Sequence, residues 1–380
     1  MTGVVDEAAV GRLFRDESGR SVAAVIGFCG DIDLAEDAVQ EAFSLALRKW
    51  PRDGLPPNPG GWITTTARNR AIDRLRRDAR GRELLGDMAV LAPQDDLGEA
   101  DIVPDDRLRL IFTCCHPALS AEAQVALTLR LLGGLSTTEV ARAFLVTEDA
   151  MAQRVVRAKR KIKAARIPYR VPAAAELPGR LRSVLAVIYL IGTTGLTRPG
   201  LGAEAIRLAR MLAALMPDEP EVAGLLALVL LGEQDRSRWD RALIEEGQSI
   251  VRRCLRRNHP GPYQIQAAIN AVHADAATAV QTDWRQILAL YDQLLALAPT
   301  SIVALNRAIA VGEVHGPAAA LALVDELELD HYYAFHATRA DLLRQLGHDD
   351  EARVAYQRAA ALAPTDAERD FLTGGGRGAR

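Results

Sequence analysis

The most distinctive polar residues of this chain are arginines and lysines concentrated in two short segments. Residues 68–82 carry seven arginines against two aspartates, and residues 154–170 carry eight bases and no acid. Cations at this density suit the phosphate groups of a nucleic acid. Residues 83–106 lie between them and carry eight acids and no base. The formal net charge of −3 hides this alternation, so the near-neutral total does not exclude DNA binding.

No catalytic motif accompanies these charges. The sequence lacks the GxxxxGK[ST] phosphate loop, a GxGxxG turn after a strand and the HExxH zinc motif. Cys114 and Cys115 precede His116, but adjacent thiols suit one tetrahedral zinc ion poorly and no second ligand pair follows. Buried thiols at a helix start are the favoured interpretation. We predict a protein that is not an enzyme and that uses no metal or other cofactor.

The charged segments and the rest of the chain are predicted to be helical. The 380 residues are rich in Ala, Leu and Arg, only 5% are aromatic, and no alternating run typical of a strand occurs. The predicted fold class is therefore all-α, with two or three domains. The longest apolar stretches are too short to cross a bilayer, no signal peptide pattern is present, and four irregularly spaced cysteines indicate no disulfide framework. We expect a cytoplasmic protein with no membrane partner.

Two helices are predicted in the N-terminal segment. Asp33 and Glu36 resemble a capping box that starts the first helix, and Pro51 is expected to stop it. One face of that helix is apolar, while the other is acidic and polar. The second helix, over 62–77, is expected to bury an apolar stripe and to turn its arginines to another side.

Capping residues predict three further helices. Ser120 starts the first of them, Ser136 and Glu139 form a capping box for the second, and Thr147 caps the third, which runs to about Arg166. A short helix, a turn and a longer helix with a basic C-terminal half make a helix-turn-helix.

The C-terminal half contains a degenerate internal repeat. The segments YDQLLALAPT and YQRAAALAPT align at an offset of 65 residues, close to twice the tetratricopeptide period of about 34. A helical-repeat module is therefore predicted beyond Pro178.

Several of these segments carry a resemblance to a known family. DIDLAEDAVQEAF and WITTTARNRAIDRLRR resemble region two of the bacterial extracytoplasmic-function (ECF) sigma factors, and TEVARAFLVTEDAMAQRVVRAKRKI resembles their region-four helix-turn-helix. FTCCHPALSAEAQVALTLR and GPYQIQAAINAVHADA resemble a subgroup with a tetratricopeptide-like C-terminal extension. The resemblance implies an alternative sigma factor that binds core RNA polymerase and directs promoter-specific transcription initiation.

The resemblance also implies a domain order. Region two is expected over 1–85, an acidic linker over 86–105, region four over 106–168, a tetratricopeptide-like domain over 179–372 and a flexible tail over 373–380. The linker follows a path through the polymerase or serves as a plain tether, and the sequence does not separate these two readings.

Site residues follow from the same resemblance. An acidic and polar face would dock on the basic clamp helices of core polymerase through charge complementarity. That face consists of Glu36, Asp37, Gln40 and Glu41. The helix over 62–77 would contact the minus-ten promoter element, with Asn69 suited to a base edge or a helix contact. Its phosphate-binding residues would be Arg70, Arg74, Arg76 and Arg77.

Region four would read the minus-thirty-five element through its third helix. The positions expected in the major groove are Glu148, Asp149, Ala152 and Gln153. The positions expected at phosphates are Arg154, Arg157, Arg160 and Lys161. The family usually has a lysine where this chain has Ala152, so readout there falls either to contact with a thymine methyl group or to Gln153.

The alternative function is a helix-turn-helix regulator or adaptor whose repeat module binds a partner protein, with no polymerase role. The acidic face and the arginine-rich helix argue against it, because a plain regulator needs neither. The repeat module is expected to hold the sigma domains inactive, to contact the polymerase or to receive a signal from a regulatory protein.

Overall fold

A computed structural model of the chain describes residues 7–83, 104–144, 146–195, 201–232, 240–276, 278–363 and 366–373. These residues form helices joined by turns and contain no strand, which confirms the all-α prediction. The predicted acidic linker falls outside the described residues except at its end, where Pro104 begins a helix. The predicted tail falls outside them as well, apart from residue 373. The chain divides into two compact units, Met1–Leu215 and Met216–Arg380.

Three helices open the first unit: α1 (Glu7–Cys29), α2 (Ile32–Asp53) and α3 (Pro59–Glu83). The capping residue predicted at Asp33 is wrong by two residues, because the side chain of Asp31 caps α2 by accepting from the backbone N–H groups of Asp33 and Leu34. The predicted stop at Pro51 is also wrong, since α2 continues to Asp53 and Gly54 ends it with φ of 80°.

Large apolar side chains hold these three helices together. Trp50 of α2 and Ile63 of α3 are almost fully buried. The rings of Trp50 and Trp62 meet edge to face, with their centroids 5.3 Å apart. Ser21 of α1 and Thr64 of α3 share a buried hydrogen bond of 3.0 Å between their hydroxyl groups. This packing leaves the other side of α3 free to carry its arginines.

The helix-turn-helix follows in the same unit. The segment that contains it consists of α4 (Pro104–Cys114), α5 (Ala121–Leu127), a π-helical turn over Thr128–Leu132, α6 (Thr137–Ala143) and α7 (Glu148–Ala164), and the helix-turn-helix itself is formed by α6 and α7. The caps predicted at Ser120, Ser136 and Thr147 are confirmed, since each side chain accepts from a backbone N–H of its own helix. Arg166 lies just beyond α7 in the left-handed region, with φ of 49°.

Two more helices, α8 (Leu177–Gly195) and α9 (Leu201–Leu215), complete the first unit. Arg180 of α8 donates to the carbonyl oxygen of Phe112, and Arg207 of α9 donates to that of Leu132 over 2.7 Å. Both carbonyl groups lie at helix ends, where the helix itself supplies no donor. These helices belong to the range 179–372 that the sequence assigned to the C-terminal module, yet they pack on α4, α5 and their neighbours.

The second unit is a succession of paired helices. Its helices are α10 (Pro220–Leu230), α11 (Arg241–Arg257), α12 (Pro262–Asp275), α13 (Trp284–Leu297), α14 (Ser301–His315), α15 (Pro317–Asp325), α16 (Tyr333–Gln345), α17 (Asp349–Leu362) and α18 (Asp366–Thr373). Two ion pairs repeat along it. Arg307 reaches Asp292 over 2.6 Å, and Arg339 reaches Asp325 over 2.7 Å. Each pair joins two helices that follow one another in the sequence, α13 with α14 and α15 with α16.

Candidate functional site

Exposed carboxylates of α2 face exposed arginines of α3. Asp37 lies 3.1 Å from the Nη1 atom of Arg74, and Glu41 lies 3.9 Å from the Nε atom of Arg70. About half of each side chain is exposed to solvent. Pairs of this kind contribute only about 0.2–1 kcal/mol. The residues predicted to bind polymerase and those predicted to bind promoter phosphates therefore lie side by side, and their mutual attraction is weak enough for other partners to replace it.

The arginine-rich face of α3 is open to solvent. The apolar stripe that packs α3 on its neighbours includes Ile63, Ala67 and Ala71, all fully buried. All five residues of α3 predicted to contact DNA are exposed: Asn69, Arg70, Arg74, Arg76 and Arg77. One side of α3 thus presents several cations and an amide together.

The predicted reading end of α7 is also exposed. Met151, Val155, Ala158 and Ile162 form the buried stripe that fixes the helix. Most of the predicted DNA-facing residues lie exposed on the remaining sides, and Ala152 and Arg154 are half-buried. The exposed members are Glu148, Asp149, Gln153, Arg157, Arg160 and Lys161. Arg157 donates to the side-chain oxygen of Gln153 over 3.2 Å, so the amide proposed to read a base is oriented from its own helix.

Glu36 differs from the other acids of α2, because its side chain is buried. Only 11% of it is exposed, whereas the sequence placed it on an open face with Asp37, Gln40 and Glu41. One carboxylate oxygen accepts from Arg130 and the other accepts from the Lys159 ammonium over 2.7 Å. Gln40 lies on the exposed side, with its amide nitrogen 3.5 Å from Glu36. Both oxygens of Glu36 are therefore occupied by cations of the helix-turn-helix segment.

Lys159 joins two acids of α2 at once. Its Nζ atom lies 2.7 Å from Asp33 as well as from Glu36, and only 13% of its side chain is exposed. Burial opposes the charge of this ammonium, but the carboxylates of Glu36 and Asp33 outweigh it and raise the pKa of Lys159 above its ordinary value. Lys163 extends the contact by lying 3.7 Å from Asp31. The network is ionic, with Lys159 protonated at neutral pH.

The backbone brings Arg130 to this position. Arg130 lies in the π-helical turn, and it also donates to the carbonyl oxygen of Leu135 over 2.7 Å. Gly19 of α1 faces the end of the same turn, where a Cβ atom would lie 2.7 Å from the carbonyl oxygen of Leu132. Such a distance is too short for any other residue without a backbone shift. The glycine therefore permits the close approach of α1 to the turn that carries Arg130.

Sequence reasoning missed Arg130 and Lys159 as partners of Glu36. One signal was available, because Glu36 lies about one turn from Ile32 and Val39 and two turns from Phe43 on the same side of the helix, and so borders the apolar stripe. A carboxylate in that position requires a cation. Which residue supplies the cation depends on how distant segments of the chain pack together. The spacing of residues along the sequence does not reveal this packing.

The two adjacent cysteines are packed rather than exposed to a ligand. Cys114 ends α4, so the expected helix start is wrong, and both thiols are fully buried. Cys115 Sγ lies 3.5 Å from the hydroxyl of Thr128, and burial raises the pKa of Cys115 to about 12. Burial also raises the pKa of Cys114. Within the described ranges, no group of three or more His, Cys, Asp or Glu residues is arranged to hold a metal ion.

A membrane span is likewise not found in the described part of the chain, where every helix is too short or too polar for one.

Comparison with family models assigns three segments. Residues 13–81 match Sigma-70 region 2, residues 109–162 match Sigma-70 region 4, and residues 180–255 match a family of unknown function, DUF6596. The last match extends across α8, α9 and the start of the second unit.

One curated relative matches almost the whole chain, and a sigma factor matches less than half of it. The uncharacterized protein R00370 of Rhizobium meliloti (strain 1021) is 42% identical to this chain over 406 residues, covering 98% of this chain and 95% of that protein. The ECF RNA polymerase sigma factor SigK of Mycobacterium tuberculosis (strain H37Rv) is 26% identical over 42% of this chain and 86% of SigK. Among solved structures, the TPR domain of P58(IPK) aligns with 88% of this chain at 16% identity, but its TM-score of 0.25 is too low to support an argument.

The burial of the cysteines makes a testable prediction. With the pKa of Cys115 near 12, only about one molecule in ten thousand carries the thiolate at pH 8, and the thiolate is the reactive form. We expect iodoacetamide to leave Cys114 and Cys115 unmodified in the folded protein and to modify both in urea, as measured by mass spectrometry. Half-buried Cys29 is the internal control and should react first in the folded protein. Rapid native modification of Cys115 would contradict its burial.

Proposed function

This chain belongs to the family of ECF RNA polymerase sigma factors, and from that membership we propose which of its helices binds core polymerase and which bind promoter DNA. Sigma factors bind core RNA polymerase and direct it to promoters. We assign the polymerase contact to α2, the minus-ten contact to α3 and the minus-thirty-five contact to α7. The observation that carries this assignment is the presence of two separate exposed basic helices in one chain, one of them beside an exposed acidic face.

The acidic face that we assign to the first contact with polymerase consists of Asp37, Gln40 and Glu41. These residues are exposed, and their weak pairs with Arg70 and Arg74 can be exchanged for pairs with basic clamp helices. Glu36 joins the face only when Arg130 and Lys159 leave it. We therefore propose that the polymerase contact is assembled in two steps, with the exposed acids first.

The proposed promoter contacts differ in kind on the two helices. On α3, the exposed arginines suit phosphates and fix the register, while Asn69 suits a base edge. On α7, Gln153 is exposed near the N-terminus and Ala152 offers a small apolar surface suited to a thymine methyl group. The basic C-terminal half of α7 suits phosphates. These assignments give α7 a larger share of base-specific recognition than α3.

We expect the purified chain to make core RNA polymerase start transcription at promoters that core polymerase alone ignores. The measurement is run-off transcription on a library of genomic fragments. A variant with Arg76 and Arg77 replaced by glutamine should start fewer transcripts while still binding core polymerase, because these exposed cations are assigned to promoter phosphates. The matched control is Arg182→Gln, which removes one exposed cation from α8. Failure to initiate on any fragment would exclude the sigma function and favour the regulator alternative.

Charge reversal tests the acidic face. The double variant Asp37→Lys and Glu41→Lys should weaken binding to core polymerase on the order of tenfold or more, because like charges would then oppose each other across the interface. Asp53→Lys, an exposed reversal at the end of the same helix, is the control and should bind as the unaltered chain does. The affinity of each protein for core polymerase is measured by fluorescence anisotropy. Equal affinities for all three proteins would remove these acids from the proposed interface.

The second unit is proposed to bind a regulatory protein or the polymerase itself, because repeated helical hairpins form extended binding surfaces. Truncating the chain at the boundary between the two compact units tests its role. Truncation after Leu215 removes the second unit and leaves the first unit complete. Truncation after residue 178 also removes α8 and α9, which pack on α4 and α5.

We therefore expect the 1–215 fragment to unfold cooperatively and the 1–178 fragment to expose apolar surface and aggregate, as measured by thermal denaturation and light scattering. Leu181, Val184 and Ile188 of α8 are buried in the first unit, and their partners would be left uncovered in the shorter fragment. Equal behaviour of the two fragments would contradict the packing role of α8 and α9. Transcription by the longer fragment gives the sign of regulation: a rise indicates inhibition by the second unit and a fall indicates a required contact.

A further inference from the structure

The C-terminal half of α11, in the second unit, carries four exposed arginines. α11 packs on α10 and α12 through an apolar stripe, in which Ile250, Val251 and Cys254 are buried. The arginines lie on the remaining sides of the helix, and residues 251–259 contain no acid. They are here named the α11 arginine patch and consist of Arg252, Arg253, Arg256 and Arg257.

The patch lacks the carboxylate partners that other arginines of the second unit have. Arg307, Arg339 and Arg353 each lie within 2.7 Å of an aspartate. In the part of the chain that the structure describes, no arginine of the patch forms an ion pair, and Arg257 donates only to the carbonyl oxygen of Pro217, over 3.4 Å. The charge of the patch is therefore left to solvent or to an anion from another molecule.

The acids of the neighbouring helices are already occupied. α10 and α12 each contain one acid beyond any cap, Glu221 and Asp275. Glu221 accepts from the backbone N–H groups of Tyr263 and Gln264, and Asp275 accepts from the amide of Gln248. The helices that pack against α11 thus supply no carboxylate to the patch.

Stability of the helix explains only half of this charge. The dipole of a helix favours cations in its last turn, which contains Arg256 and Arg257. Arg252 and Arg253 lie a full turn earlier, where that effect has faded. Like charges four residues apart also repel each other on a helix surface. The inner pair therefore weakens the helix in the free protein, and an anionic partner would remove that repulsion.

The shape of the patch suits the phosphates of duplex DNA. Its four arginines form two rows, each with a step of four residues, on one helix surface. From residue 252 to residue 257 the helix rises about 7.5 Å. Phosphates of one strand follow each other at about 3.4 Å along the duplex axis, so the patch can reach two or three of them. Arginine can also bind a phosphate through two parallel hydrogen bonds.

An acidic protein surface is the other partner with the required charge. DNA is favoured because the patch consists of cations alone and because the proposed function already brings this chain to a promoter. Leu255 lies in the same turn and is 64% exposed. Its apolar side chain would contribute to a protein interface but not to a phosphate contact, so Leu255 separates the two partners experimentally.

We propose that the α11 arginine patch binds phosphates of the duplex that adjoins the minus-thirty-five element on its upstream side. The inference rests on the proposed function, because it takes α7 as the helix at that element. The second unit begins at Met216, directly after α9 in the chain, and α9 packs on α4 at the start of the region-four segment. Region two is assigned to the downstream side, so the free duplex beside region four is the upstream one. The contact adds affinity without reading sequence.

The test uses the complex of the full-length chain with core polymerase on two promoter fragments. The short fragment ends at the upstream edge of the minus-thirty-five element, and the long fragment continues upstream for several turns of duplex. The patch variant carries Arg252→Gln, Arg253→Gln and Arg256→Gln. It should bind the long fragment on the order of tenfold more weakly than the unaltered chain, with a slope of log affinity against log salt reduced by about two, because each phosphate contact contributes about 0.9. Both proteins should bind the short fragment equally.

A charge-matched control and a stability measurement accompany the patch variant. The control carries Arg285→Gln, Arg353→Gln and Arg358→Gln, which remove three exposed arginines of α13 and α17. It should bind both fragments as the unaltered chain does. The patch variant should unfold at the same temperature or higher, because it relieves repulsion and leaves the buried stripe of α11 intact. Its weaker binding to DNA then has no origin in misfolding.

Three outcomes would overturn the proposal. They are equal affinity of the patch variant and the unaltered chain for the long fragment, an equal loss on both fragments, and an equal loss in the charge-matched control. Unchanged DNA binding with weaker binding of both the patch variant and Leu255→Ser to core polymerase would assign the patch to a protein partner instead. If no protein initiates transcription, the proposed function fails, while the salt dependence of the free full-length chain on the long fragment still shows whether the patch binds phosphates.

Discussion

A carboxylate that is removed from water must be paired with cations or lose its charge, and in this chain that requirement falls on Glu36. The apolar stripe of α2 carries Glu36 into the interior together with Val39 and Phe43. Its two oxygens are then satisfied by Arg130 and Lys159, from a segment that begins only after the acidic stretch. These two ion pairs join α2 to the π-helical turn and to α7 within the first unit.

Local features of the backbone support the contact between Glu36 and Arg130. The π-helical turn over Thr128–Leu132 redirects Arg130, and Gly19 lets α1 approach the end of the turn. Arg207 of α9 then donates to the same carbonyl oxygen of Leu132 that Gly19 faces. Helices that precede the repeat module in sequence thus brace the contact between the two sigma regions. The extension is physically part of the sigma core at its beginning and a separate compact unit only from Met216.

The charges of α2 fall into two classes that the helix geometry separates. Asp37 and Glu41 are exposed and lie beside the arginines of α3 at 3.1 and 3.9 Å, where solvent weakens the attraction. Glu36 is buried, and both of its carboxylate oxygens are occupied, one by Arg130 and the other by Lys159. One helix therefore carries exposed acids, whose ion pairs are weakened by solvent, and a buried acid that is already paired within the first unit.

Several helix caps and the charges of the exposed helix faces could be predicted from the sequence without its tertiary structure. Ser120, Ser136 and Thr147 cap the helices predicted from them, because a cap depends on residues within one turn. The exposed arginines of α3 and the buried stripe of α7 follow from helical periodicity in the same way. Tertiary structure alone decided that Glu36 is buried, that Arg130 and Lys159 are its partners, and that α8 and α9 belong with the first unit. Those outcomes depend on contacts between segments distant in sequence, whose pairing is fixed by packing and by the cost of a buried unpaired charge rather than by spacing along the chain.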